Sequence, residues 1–440
     1  MGQRITLVLV LLLPLVVASL WMDRARATPL YSVRSASACN TCHVEPTGWS
    51  EGALRERRCT LGCGACHVSP TGGGMRTPAG SYFAQQILPR AGRRPAPDNP
   101  AGNSAFSVFR GFSGWEPGPT PISSVPEPYG SLDRDPGFDW GFDFRGAAFY
   151  PLEASDRDSA LFPMQADLYL LGRPLSHLSL YGSIGAMGSK DRTYDDLSKR
   201  TGFQQVVAAR EVFVMADRLP YNSYVRGGRF APPFGLRIPD HTSFVRRELG
   251  FDQNRQVFGV EGGMNPNYPY VNLAVFYQGW DAWPGDVEDE GVGFAATSGY
   301  RDLAGQVGLG VQGLDRFHDQ EGIDRELSLG VFWGLNLFPV TYLGELDWRT
   351  RSMENAAPDY RSAFLYQELN WELTRGLDTF LKYDWLDLDV GEAGDQVHRG
   401  TCGLRWNPYT AIQVEVQYRK TLVPDATDEQ DVLVMLHAHL

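Results

Sequence analysis

Beyond its first two dozen residues, this chain of 440 residues has no apolar run approaching the roughly 20 residues that a spanning helix needs. A helical membrane protein is thereby excluded. Net positive charge is also missing: the formal net charge is -12, which argues against nucleic acid, whose phosphates require a basic face. Cysteine is scarce, six in all, and none follows the first apolar stretch as a lipobox would require, so no lipid anchor is indicated. Packing material is not lacking. With 43% hydrophobic and 12% aromatic residues the chain can bury ample surface, which excludes disorder. One class survives that averaged hydropathy cannot register, a transmembrane β-barrel whose strands alternate apolar and polar residues.

The chain opens with Arg4, an apolar stretch from Ile5 to Trp21, and the small-x-small triplet Ala25-Arg26-Ala27. This pattern predicts a secretory signal peptide over residues 1–27, with the mature chain starting at Thr28. The competing reading is a retained anchor, because the apolar stretch is slightly long.

Four of the six cysteines fall in Cys39-Asn40-Thr41-Cys42-His43 and Cys63-Gly64-Ala65-Cys66-His67. Both are CxxCH, the spacing that lets two thiols add to the vinyl groups of one haem while the adjacent histidine ligates iron. A redox dithiol would need no histidine. Zinc held by Cys59, Cys63, Cys66 and His67 is the alternative, but two haem c groups account for both clusters at once. The expected ligands are thus Cys39, Cys42, Cys63 and Cys66 for the covalent bonds, with His43 and His67 on the irons.

The motifs belong to a repeat. Cys42-His43-Val44-Glu45-Pro46-Thr47-Gly48 matches Cys66-His67-Val68-Ser69-Pro70-Thr71-Gly72 with one mismatch at a period of 24 residues. Cys59 falls on Ser35 in this register, which reads as an incidental thiol. A unit so small cannot enclose a porphyrin alone, so another part of the chain has to cover it. No histidine other than His43 and His67 precedes His177. The sixth iron ligands are therefore sought at Met75, next to the glycine triplet, or at barrel histidines reaching in. Residues 28–87 are expected to form this small, mostly irregular cytochrome segment, and residues 88–137, rich in Pro and Gly, a linker.

From 138 onward the period is two. Phe138, Trp140, Phe142 and Phe144 alternate with Asp139, Gly141, Asp143 and Arg145, and Ile412, Val414, Val416 and Tyr418 alternate with Gln413, Glu415, Gln417 and Arg419. Tyr150, Trp348, Trp385 and Trp406 stand near strand ends, as in an interfacial girdle. Short turns such as Arg173-Pro174-Leu175 and Asn407-Pro408-Tyr409 intervene between eight longer polar loops, around Ser155, Lys190, Pro239, Asp286, His318, Met353, Glu392 and Thr427. This rhythm predicts an all-β, antiparallel barrel of about sixteen strands over 138–440, with both termini periplasmic. In that frame His177, His437 and His439 face the lumen near the periplasmic mouth and become sixth-ligand candidates, whereas His241, His318 and His398 fall at the outer end. Cys402, alternating with Leu404 and Trp406, is expected to face lipid. The longest loop, Pro232 to Asp252, is expected to fold into the lumen or to cap the outer haem. Residues 28–95 hold eight Arg and three Glu, a net +5, against -19 for residues 96–440. A basic cytochrome segment beside an acidic barrel is favoured electrostatically.

Taken together these residues resemble the fused outer-membrane cytochrome-porins of iron-oxidising bacteria. Thr28-Pro29-Leu30-Tyr31-Ser32-Val33-Arg34 is similar to that family's approach to its CxxCH, and Gly228-Arg229-Phe230-Ala231-Pro232-Pro233-Phe234-Gly235-Leu236 to the phosphate-selective porin signature. The resemblance implies that Cys39, Cys42 and His43 hold haem, and that a sixteen-stranded porin follows the haem segment. The family usually has one CxxCH and this chain has two, so a general electron conduit fits better than direct iron oxidation. Its expected partners are periplasmic cytochromes or other electron carriers, and an extracellular donor or acceptor such as a metal ion or mineral. Any enzymatic role would be that of a surface metal oxidoreductase. A solute-diffusion porin with a haem-bearing gating or anchoring segment is the alternative. A peroxidase-like haem enzyme would require an open iron position.

Overall fold

A computed structural model of the chain describes residues 63–65 and 67–77, and then most of 137–439, with 153–158, 187–206, 250–255, 280–288 and shorter connecting pieces outside the description. The expectations for residues 1–62, Cys66 and the linker from 78 to 136 lie outside the described residues.

Sixteen antiparallel strands follow one another in chain order and close on themselves. They are β1 (Gly137–Pro151), β2 (Ala160–Leu175), β3 (Leu178–Ala186), β4 (Val207–Leu219), β5 (Ser223–Phe230), β6 (Val257–Met264), β7 (Pro269–Gln278) and β8 (Asp289–Arg301). The second half comprises β9 (Gly305–Asp319), β10 (Ile323–Leu337), β11 (Val340–Met353), β12 (Tyr360–Thr374), β13 (Leu377–Asp387), β14 (Val397–Tyr409), β15 (Ile412–Leu422) and β16 (Glu429–His439). β1 pairs with β16, setting Asp143 opposite His439 and Arg145 opposite His437, so no edge is left unpaired. His318 and Met353, read as loop residues, belong to β9 and β11, because those strands run on past the lipid-facing stretch.

The two-residue period fixes what each face meets. In β7, Val271, Leu273 and Val275 point outward and are exposed, while Tyr270, Asn272, Ala274 and Phe276 point inward and are buried. The same holds around the ring, so the exterior is an apolar belt. Phe138, Trp140, Tyr268, Tyr300, Trp371 and Trp406 are exposed at strand ends on the side of the short turns, and Tyr150 and Tyr360 at the opposite rim. Such belts place amphipathic rings at the headgroup level of a bilayer. Cys402 is exposed on the outer face as expected.

The interior is not an open channel lined by free polar residues. After β5 the chain turns inward as a strap, 231–249, ending in the short helix α1 (Phe244–Glu248). Phe234, Leu236, Ile238, Phe244, Val245 and Leu249 of the strap bury against Tyr270, Phe332, Phe364, Tyr366 and Leu386 of the wall. Of the two expectations for the long loop, the inward one holds. The strap is pinned across the lumen by Leu236 N–H donating to Glu345 Oε2 at 3.0 Å, Lys382 Nζ to Asp240 Oδ2 at 2.8 Å, and Arg399 to the Thr242 carbonyl at 2.6 Å. Gly235 has φ +61, and a Cβ there would stand 1.9 Å from Glu345 Oε1, so only glycine lets the strap lie this close to β11.

Candidate functional site

Residues 63–77, which belong to the second CxxCH unit, also lie against the inner wall of the barrel. Cys63–Ala65 forms a single 3-10 turn, and His67 N–H donates to the Cys63 carbonyl at 2.8 Å. That i to i+4 bond brings Cys63 and His67 to one face of the turn, as a shared haem requires. The chain then doubles back: His67 bridges Arg76, and Val68 N–H donates to the Met75 carbonyl at 3.0 Å. The reversal runs through Gly72, Gly73 and Gly74, with φ +92, +74 and +63. A Cβ on Gly74 would lie 2.9 Å from the Tyr181 hydroxyl, so the triplet gives both the turn and its approach to the wall.

This reversal has two sides, because bridged neighbours share a face and the next pair occupies the other. Val68 and Met75 form the wall-facing side and are buried with Tyr169, Leu171, Tyr181, Phe213, Met215 and Phe230. Burying two such side chains contributes on the order of 1.5–3 kcal/mol each. Arginines clamp the bend. Arg226 Nη1 donates to Ser69 Oγ at 3.1 Å, and Arg237 of the strap donates to Thr71 Oγ1 at 2.7 Å. Arg226 is itself fully buried, paired with Glu261 at 2.8 Å and set over the Phe213 and Phe230 rings. Arg301 donates to Cys63 Sγ at 3.6 Å while stacking on Tyr270. The plug and the strap therefore hold each other through Arg237.

His67 and Arg76 occupy the opposite face. Burial, with the Arg76 and Arg237 guanidiniums beside it, pushes the His67 imidazole down to about 4, leaving the ring neutral, the form that ligates a metal. Its Nδ1 is buried without a hydrogen-bond partner among the described residues. A Cys63 thiol outside any disulfide, one helical turn from a neutral His67 whose Nδ1 has no partner among the described residues, is a donor set that fits a c-type haem, with Cys66 as the second thiol of the motif.

The sixth-ligand candidates separate clearly. Met75 belongs to the wall-facing side with its backbone N–H on Tyr181 Oη at 3.4 Å, so its side chain lies on the face away from His67. His177 is exposed in the β2–β3 turn, its carbonyl bound by the Asp217 N–H, rather than on the lumenal face of a strand; the tight turn ends the alternation before reaching it. His437 and His439 do face the lumen on β16, with rings 4.8 Å apart. His437 Nε2 pairs with Asp143 Oδ1 at 2.9 Å. Both ring nitrogens of His439 are buried without a hydrogen-bond partner among the described residues. His398 pairs with Tyr383 near the outer end. Sequence reading missed the clamp itself, Arg226, Arg237, Arg301, Ser69 and Thr71. Its one visible trace is the lumenal parity of Arg226, two residues from Tyr224.

No protein-family model matches the chain, and no curated protein matches it by sequence. Solved structures do match in fold. OmpT of Vibrio cholerae aligns with a TM-score of 0.52 and 10% identity over 69% of this chain and 97% of its own. An anion-selective porin from Comamonas acidovorans gives 0.52 and 12% over 70% and 100%. OmpF of Salmonella typhi gives 0.52 and 13% over 69% and 98%. At these identities the likeness is one of fold: the chain has the closed sixteen-stranded barrel of outer-membrane porins.

Proposed function

We propose that the protein is an outer-membrane electron conduit, a member of the fused cytochrome-porin class, in which two haem c groups carry electrons between periplasmic carriers and an extracellular donor or acceptor. The observation that carries this reading is the seating of the second CxxCH segment inside the lumen, clamped by Arg226, Arg237 and Arg301. Haem bound through Cys63, Cys66 and His67 would supply a one-electron relay at that depth. An empty barrel leaves an insulating apolar band about 25 Å tall, and a relay held within it shortens that gap. The chain's own part is to fix the motif, keep His67 neutral and fill the space around it. An even strand number puts both ends of the barrel at the mouth with short turns, which in this fold is the periplasmic one. Purified protein in liposomes should pass electrons to a trapped dye when an impermeant reductant is added outside. Haem-loaded protein that passes none would sink the proposal, and loss on His67→Ala with the barrel still folded would locate the path.

A second reading, a solute porin whose haem segment gates or anchors, is favoured by the fold likeness to solved porins. Single-channel recording separates the two. The full chain should conduct poorly as a conduit and substantially as a porin.

A further inference from the structure

We infer that Glu345 and Asp347, beneath the strap, hold a divalent cation of the calcium class, and that this ion ties the strap to β10 and β11. The two carboxylates stand two positions apart on the lumenal side of β11, about 7 Å along the strand. Two consecutive strap residues cover both. Glu345 Oε1 lies 1.9 Å from where a Cβ of Gly235 would stand. Asp347 Oδ1 reaches across to Gly330 of β10, 2.1 Å from the corresponding point, and the Phe234 ring comes within 3.3 Å of that same point. Glu345 Oε2 is taken by the Leu236 N–H, but Glu345 Oε1 and both Asp347 oxygens are buried without a hydrogen-bond partner among the described residues. The nearby guanidiniums are turned elsewhere: Arg246 Nη1 donates to the Leu236 carbonyl at 3.4 Å, and Arg349 donates to the Glu248 carbonyl while lying over the Phe364 ring.

A second observation does not depend on the acids. Ser328 faces the lumen on β10, next along that face from Gly330, is 0% exposed, and its Oγ has no hydrogen-bond partner among the described residues. Beside it in register on β9, Gln312 is buried; its Nε2 donates to the Leu249 carbonyl at 3.1 Å, and its Oε1 is likewise without a partner. Gly330 has no side chain to fill the space that these oxygens border. Buried charges in proteins are paired or coordinate a metal. Every free donor here is oxygen, and among the described residues no three His, Cys, Asp or Glu converge as a transition-metal set would. Calcium accepts carboxylate, amide and water oxygens in flexible geometry, whereas magnesium demands a near-ideal octahedron. Two carboxylates match its double charge.

The test uses the full purified chain equilibrated with calcium, magnesium or EGTA. Bound calcium per chain should fall by one in Asp347→Asn and in Glu345→Gln, and stay unchanged in Glu392→Gln, an exposed acid between β13 and β14. Ser328→Ala should weaken calcium binding several-fold. Calcium, more than magnesium, should raise the unfolding temperature of the unaltered barrel and slow hydrogen exchange at 234–238. Asp347→Asn should show neither response, and in EGTA it should melt above the unaltered chain because it buries one charge fewer. Equal calcium counts in the unaltered chain and Asp347→Asn would overturn the site. So would melting that responds to acid but not to calcium, which would give the pair a shared proton instead. The calcium count does not depend on haem, so this inference and the electron-conduit reading fail separately.

Discussion

Arg226 shows how one side chain can join two parts of the chain. It is 0% exposed, and its guanidinium meets Glu261 on β6, Ser69 on the plug and two aromatic faces. Arg226→Met removes the cation and leaves the buried Glu261 with a hydrogen bond from the Tyr224 hydroxyl but no counter-charge, so the loss should be about 3–5 kcal/mol. It should be read as a lower unfolding temperature of the folded barrel together with faster proteolysis between Cys63 and Thr77. At the strap, Lys382 and the Thr242 N–H and hydroxyl hold the Asp240 carboxyl well below the usual carboxylate range. A depressed carboxylate stabilises the folded state fully above its unfolded value, about 3.9, and the contribution fades as pH falls below that. Asp240→Asn should therefore lower barrel stability by a constant amount above about pH 4, and the gap from the unaltered protein should close on further acidification. Melting curves across pH test this; a gap that widens in acid would contradict it. The residues that were legible from sequence share a trait: Cys63, His67, His437 and His439 carry chemistry or parity that needs no partner to be noticed. Arg226 and Ser69, 157 positions apart, could be joined only by the closed barrel.

At the scale of elements, the plug and the strap obey the same rule, a glycine where the backbone presses on the wall. Gly74→Ala would place a methyl on Tyr181 Oη at φ +63, and Gly235→Ala one on Glu345 at φ +61. Each should cost about 1–3 kcal/mol of local strain. Hydrogen exchange should localise the first to 63–77 and the second to 232–249; a uniform change along the chain would contradict this. The repeat also gains a meaning. The second unit departs from the first at wall-contacting positions, with Ser69 for Glu45, Gly73 and Gly74 for Trp49 and Ser50, and Met75 for Glu51. Its residues at these positions are the ones that fit the contacts it makes with the wall and the strap. Strands and the rhythm of loops were legible because period two and turn residues are local signals. The inward fold of the strap was not settled by sequence, since Phe234, Leu236 and Phe244 would suit either an inner or an outer apolar surface. His177 was misplaced because parity says nothing about where a strand stops.

At the scale of the whole molecule, the lumen is divided between two fillings that share Arg237. Arg237→Ala should loosen both, raising ion conductance of the full chain above that of the unaltered protein, while Arg247→Ala, whose ion pair with Glu248 and stacking on Phe244 both stay within the strap helix, should not. Planar-bilayer recordings decide it, and equal conductance in all three would show that Arg237 closes nothing. The acidic sum of the chain likewise divides, +5 over residues 28–95, which include the plug, against -19 over residues 96–440. The seam between β1 and β16 adds a matter of timing. Asp143 comes from the first strand made and His437 and His439 from the last, so their corner of the lumen exists only after the ring closes. A barrel halted one strand short would keep the bonds of the plug to β3, β5 and β8 yet lack this corner, which makes the lumen's lining a record of whether assembly was completed.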